Sequence, residues 1–145
     1  MNRDPETSIV NGYDIHTVFE PEQKEAALAL YHLFLDFLSK QNIPYQHNKV
    51  FDVPVGPWPT PMWQVILPSG KRSHLDLGPC IAWLMLNRGA FSVMIHPNTK
   101  QENGLGGGYE DHSQNMFWMG APQTLKLHIF QKSKHTKIKA TNPTP

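Results

Sequence analysis

The chain predicts an α+β domain of ferredoxin-like type: a βαββαβ unit with an additional C-terminal strand and one open sheet face. Three observations carry that expectation. Short stretches alternate apolar and polar residues with a period of two, which marks strands lying on a core. Two other stretches read as helices, one of them with apolar residues at three- and four-residue spacing. Their order is strand, helix, strand, strand, helix, strand and one late strand, the split βαβ arrangement. Helices on one face of such a sheet leave the other face free for a ligand or a partner.

Residues 1–11 read as a flexible N-terminal arm, 12–130 as a single domain and 131–145 as a flexible basic tail carrying Lys132, Lys134, Lys137 and Lys139. The first strand is expected over Tyr13–Phe19, with Tyr13, Ile15, Thr17 and Phe19 on one face and Asp14, His16 and Val18 on the other. Pro21 suits the first turn of a helix running to about Lys40. Its apolar stripe is Ala26, Leu30, Leu33, Phe34, Phe37 and Leu38, with His32 and Asp36 opposite. A strand within Tyr45–Val55 precedes the stiff, proline-rich segment Gly56–Pro61. Met62–Leu67 reads as the third strand and Pro68–Gly70 as a turn. A second helix is expected from about Pro79 to Arg88, stopped by Gly89, and a fourth strand over Phe91–Ile95. A glycine-rich loop over Pro97–Glu110 and a last strand over Leu125–Phe130 complete the reading.

Composition narrows the function. The chain has 145 residues, 39% hydrophobic and 17% charged, enough for one domain with its own core. A formal net charge of +1 gives no basic field for nucleic acid or anionic membrane. The single cysteine, Cys80, lies in an apolar run, which fits a reduced, buried thiol and a cytoplasmic setting. Residues 1–11 hold no signal-type apolar segment, and no stretch approaches the roughly 20 apolar residues of a membrane span.

Histidine is abundant, at eight residues, and strand parity gives its placement meaning. His16 on the first strand, His96 after the fourth and His128 on the last all fall on the open face. In this fold the first and fourth strands are neighbours, so His16 and His96 come close. His112 follows Asp111 at the end of the glycine-rich loop, where Asp111 suits a ligand role or the orienting of an imidazole. That loop is also placed to close over a substrate. Neutral imidazole binds iron, zinc and copper, and a site of three ligands leaves positions for substrate. His32, His47, His74 and His135 sit in polar surroundings that suit exposure. Gly104, Gly106, Gly107 and Gly108 lack the ending of a phosphate loop, and no H-E-x-x-H, C-x-x-C pair or G-x-S-x-G is present.

Four segments resemble the DOPA 4,5-dioxygenase family: YDIHTVF (13–19), GPWPTPMWQV (56–65), WLMLNRGAFSVMIHPNT (83–99) and DHSQNMFWMG (111–120). The likeness runs from about Tyr13 to Phe130. It implies a ferredoxin-like domain that opens catechol rings such as that of L-DOPA by extradiol cleavage, with non-haem Fe(II) and O2 as co-substrate. It further implies His16, His96 and His112 as metal ligands or acid–base groups. On this reading His112 or His128 takes a phenolic proton and Arg88 pairs with a substrate carboxylate. Where the family commonly has histidine in G-P-H-P, this chain has Trp58, which can neither ligate metal nor accept a proton but can stack on an aromatic ring. Two other functions stay open: a non-catalytic module binding a small aromatic or a protein, and a metal-dependent enzyme of another class. Unpaired sheet edges also suit a homodimer.

Overall fold

The computed structural model describes residues 2–100 and 108–130. The elements are α1 (Pro5–Ser8), β1 (Ile9–Val18), a 3-10 turn (Pro21–Gln23), α2 (Lys24–Lys40), β2 (Gln46–Phe51), β3 (Met62–Leu67), α3 (Lys71–Asn87), β4 (Ser92–Thr99) and β5 (Phe117–Met119). The five strands form one sheet in the order β2-β3-β1-β4-β5, with every neighbouring pair antiparallel. This is the mixed α+β, ferredoxin-like arrangement with an added edge strand.

Alternation along the strands sorts the two faces. Tyr13, Ile15 and Phe19 join Trp63, Val65, Leu67, Val93 and Ile95 in the main core, against α2 and α3. The helices contribute Ala27, Leu30, Tyr31, Phe34 and Leu38, then Cys80 and Leu84. Trp63 fills the centre and donates its indole N–H to the Ala27 carbonyl at 3.0 Å, so its one polar atom is satisfied. The Cys80 thiol is buried and free, and burial, aided by the Asp76 charge, pushes its pKa up to about 12. It is an inert apolar filler, as its setting in the sequence suggests. On the other sheet face Val18, Trp58, Met62, Met94 and Leu125 form a second, smaller cluster under the loops. None of the described helices is long and apolar enough to cross a membrane.

Several boundaries differ from expectation. β1 starts at Ile9, so the end of the expected arm enters the sheet and pairs with Thr99. On α2 the buried stripe runs through Ala27 and Tyr31, while Ala26 and Leu33 face solvent. α3 begins at Lys71, eight residues before Pro79, which lies inside the helix on its exposed side. Burial of Ser73, Cys80 and Leu84 along one face outweighs the local cost of the proline. β4 extends to Thr99 and takes in residues assigned to the loop. The late strand lies at Phe117–Met119; the segment expected as strand, 125–130, runs irregularly into a helical turn at 128–130. Its Leu125 packs with Val18, Trp58, Met62 and Met94 over the open sheet face, with Leu127 against that cluster, and the segment joins no strand. The basic tail and half of the glycine-rich loop, residues 101–107, lie outside the described residues.

Gly12 sits at the β1 irregularity with φ +68°, and a Cβ there would collide with the Leu67 carbonyl on β3. Gly56 has φ +54° and open space around it. Gly12→Ala is therefore expected to cost ~2 kcal/mol or more, and Gly56→Ala only the ~1 kcal/mol of an unfavourable φ. Urea unfolding midpoints of the two variants check this difference.

Candidate metal centre

Two neighbouring strands bring the first pair of histidines together. β1 and β4 pair so that Asp14 faces His96 and His16 faces Met94. His16 and His96 are thus diagonal neighbours on the face without helices, within reach of each other. Their Nε2 atoms lie 3.2 Å apart, and both residues are buried. The third histidine comes from the turn 108–115. His112 N–H donates to the Gly108 carbonyl at 3.0 Å, and Asn115 N–H to the Glu110 carbonyl at 2.9 Å. The turn is pinned to the end of β4 by Asp111. That carboxylate accepts from Thr99 N–H at 3.0 Å, from Thr99 Oγ1 at 2.7 Å and from Asn115 at 3.1 Å. Ligand atoms of His16, His96 and His112 all lie within 4.8 Å of one another.

Hydrogen bonds to two of the rings set their tautomers. His96 Nδ1–H donates to the Pro97 carbonyl at 2.8 Å, and His112 Nδ1–H to the Gly108 carbonyl at 2.7 Å. Each then presents an Nε2 lone pair. Burial lowers the pKa of all three imidazoles; for His112, where the His96 charge adds to burial, it falls to about 4. His16 Nδ1 has no partner among the described residues, while its Nε2 lies at hydrogen-bond distance from His96 Nε2 and faces Asp14 Oδ2. A cation fits that donor set. Metal–nitrogen bonds of about 2.1 Å place adjacent ligands ~3.0–3.4 Å apart, a range that includes the His16–His96 separation.

A carboxylate absent from the predicted site also stands here. Asp14 Oδ2 is 3.5 Å from His16 Nε2 and 3.6 Å from His96 Nε2. Its Oδ1 accepts from Asn98 at 2.6 Å. Burial acts to raise its pKa, but contacts with His16, His96 and Asn98 outweigh that and hold the carboxyl below its usual range. Strand parity carried the signal, since Asp14 shares the face of His16.

Aromatic rings wall the site. Trp58 is buried, with its ring 4.4 Å from that of His16 and 6.0 Å from that of His112. Phe130 stacks on His112 at 5.0 Å. Three residues expected at the site serve elsewhere. His128 is exposed on the helical turn, because the strand that would have aimed it inward does not form. Arg88 donates to the carbonyls of Phe91 (2.9 Å) and Gly89 (3.4 Å), closing the end of α3. Asp111 holds Thr99 and Asn115 instead of an imidazole.

Comparison with known proteins shows what the chain is similar to. The model of the Dopa 4,5-dioxygenase family matches residues 13–129. A 21.2 kDa uncharacterised protein of Botryotinia fuckeliana is 29% identical over 133 residues, covering 91% of this chain and 70% of that protein. A crystal structure of a candidate dioxygenase from Nostoc punctiforme superposes with a TM-score of 0.68 at 24% identity, over 90% of this chain and 98% of that one, a likeness of fold.

His16→Ala and His96→Ala are expected to abolish binding of a divalent metal, whereas His32→Ala, on the exposed side of α2, leaves it unchanged; calorimetric titration with each variant reads this out. The buried rings also set a pH dependence. Folded His112 stays neutral down to about pH 4, while in the unfolded chain it charges near its ordinary value of 6.5. Between those values the unfolded state binds more protons, so stability falls as pH drops from 6.5 towards 4. Denaturant midpoints across that window should decline, and replacing His112 with Ala should flatten the decline.

Proposed function

The chain belongs to the Dopa 4,5-dioxygenase family, and on that premise we propose that it is an extradiol dioxygenase that opens the ring of a catechol such as L-DOPA with iron(II) and O2. The carrying observation is the meeting of three neutral imidazoles on one sheet face, two with their Nδ1 protons fixed on backbone carbonyls. His16 and His96 would hold the iron, with His112 beside them. Iron(II) suits the site because it exchanges electrons with O2 and accepts both oxygens of a catechol, whereas zinc supplies only Lewis acidity.

The chain's own groups do the rest. Gly108 and Pro97 carbonyls keep two rings in the tautomer that leaves Nε2 bare. His112, neutral at working pH, can take a phenolic proton at Nε2 as the diol enters. Trp58 and Phe130 offer flat apolar faces to an aromatic substrate and exclude water from the metal side. Trp58 stands where the resemblance expects a histidine, so its contribution is stacking and water exclusion, with no proton transfer. Arg88 is engaged at the end of α3, which removes the expected partner for a substrate carboxylate. That favours catechols without a strict carboxylate requirement.

Anaerobic loading with iron(II), then addition of L-DOPA and air, is expected to give stoichiometric O2 uptake and a yellow ring-opened product. Simple catechols lacking the carboxylate are expected to turn over at rates within about tenfold of L-DOPA, a difference of at most ~1.4 kcal/mol, since Arg88 is held on backbone carbonyls. Metal binding with no turnover of any catechol would move the site to another class of metal-dependent enzyme.

A further inference from the structure

The metal-binding reading leaves the third ligand of the centre open, and the geometry around Asp14 supplies a candidate. Asp14 Oδ2 and the Nε2 atoms of His16 and His96 form a nearly equilateral triangle with edges of 3.2, 3.5 and 3.6 Å. A triangle of these dimensions has a circumradius of about 2.0 Å, the length of a bond from a divalent cation to imidazole nitrogen or carboxylate oxygen. The arrangement is built in: Asp14 and His16 are two residues apart on β1, and His96 lies directly across from Asp14 on β4. Asn98, two residues beyond His96, anchors the other carboxylate oxygen.

His112 stands differently. Its ring packs over His96 with centroids 4.1 Å apart, while the His16 and His96 centroids are 5.2 Å apart and the His16 and His112 centroids 6.3 Å. It arrives on a turn rather than on the sheet that fixes the other three donor atoms. Charge points the same way. Three neutral imidazoles would leave both positive charges of the cation uncompensated in a buried site, and one carboxylate offsets half of them.

We propose that Asp14 is the anionic ligand of this centre, so that His16, His96 and Asp14 form the metal-binding face and His112 borders the substrate position. This rests on the metal-dependent reading above and names the donor set of the same site. Two histidines and one carboxylate are a ligand set that would suit non-haem iron(II). Such a set would leave positions open for a catechol substrate.

Cobalt(II) titration of the full chain, followed by visible absorption, tests this without relying on turnover. The wild-type protein is expected to bind cobalt(II). Asp14→Asn keeps the acceptor used by Asn98 and is expected to weaken binding by more than about 100-fold, beyond the ~10–100-fold typical of outer-sphere partners. Its ligand-field spectrum should also change. Asp14→Cys places a thiolate donor at the same strand position and should add an intense thiolate-to-cobalt charge-transfer band, which buried Cys80 cannot produce. His112→Ala should retain the ligand-field spectrum. Melting curves establish that each variant folds, and the cysteine variant decides the question if the asparagine variant does not. An unaltered spectrum in Asp14→Asn, or no charge-transfer band in Asp14→Cys, overturns the assignment while leaving the metal centre intact. Failure of the wild-type protein to bind cobalt(II) sinks the metal-dependent reading itself.

Discussion

The antiparallel register of β1 against β4 is the constraint on which the candidate site depends. With Asp14 opposite His96 and His16 opposite Met94, the three ionisable side chains fall on one face and Ile15 and Ile95 on the other. A slip of one residue would send His16 or His96 into the core and an isoleucine into the site. The register is held from the far side: Ile15, Val93 and Ile95 are essentially inaccessible beneath α2 and α3. Packing of an ordinary apolar core therefore positions donor atoms it never touches.

Burying three imidazoles and a carboxylate on one face runs against the usual sorting of polar groups. The molecule offsets that cost in parts. Carbonyls of Pro97 and Gly108 satisfy two Nδ1 protons, and Asn98 satisfies one Asp14 oxygen. His96 Nε2 and the second Asp14 oxygen both face His16 Nε2, at 3.2 and 3.5 Å. Burial disfavours protonation of His96 and His112, which keeps both rings in the neutral form that could hold a metal. The same logic explains Trp58 and Phe130, which shield the cluster with rings that make no demand on the donor atoms.

Much of this was legible in the sequence, for identifiable reasons. Period-two alternation in Tyr13–Phe19 and Phe91–Ile95 fixed the parity of His16 and His96, and the split βαβ order made their strands neighbours. The late segment misled because Leu125, Leu127 and Ile129 alternate like a strand, while Leu125 and Leu127 pack across the open sheet face without joining it; that error carried His128 to a site it does not reach. Pro79 concealed the first half of α3, since a proline reads as a helix start although tertiary packing carries the helix through it. Asp14 went unassigned although its parity was evident, because a lone acid beside a histidine reads as ordinary strand surface until the partner strand is in place. The roles of Arg88 and Asp111 depend on tertiary hydrogen bonds that no local pattern encodes.

His16 and His96 are expected to act as one donor pair for a divalent cation. Nitrogen-resolved NMR of the histidine side chains during titration with zinc(II), a diamagnetic stand-in, reads that pair directly. The predicted result is simultaneous movement of both Nε2 resonances to metal-bound positions, with both rings protonated at Nδ1 and the exposed His32 and His47 unmoved. Zinc-induced shifts confined to the exposed histidines, or a His16 ring that keeps its proton on Nε2 at saturation, would contradict it.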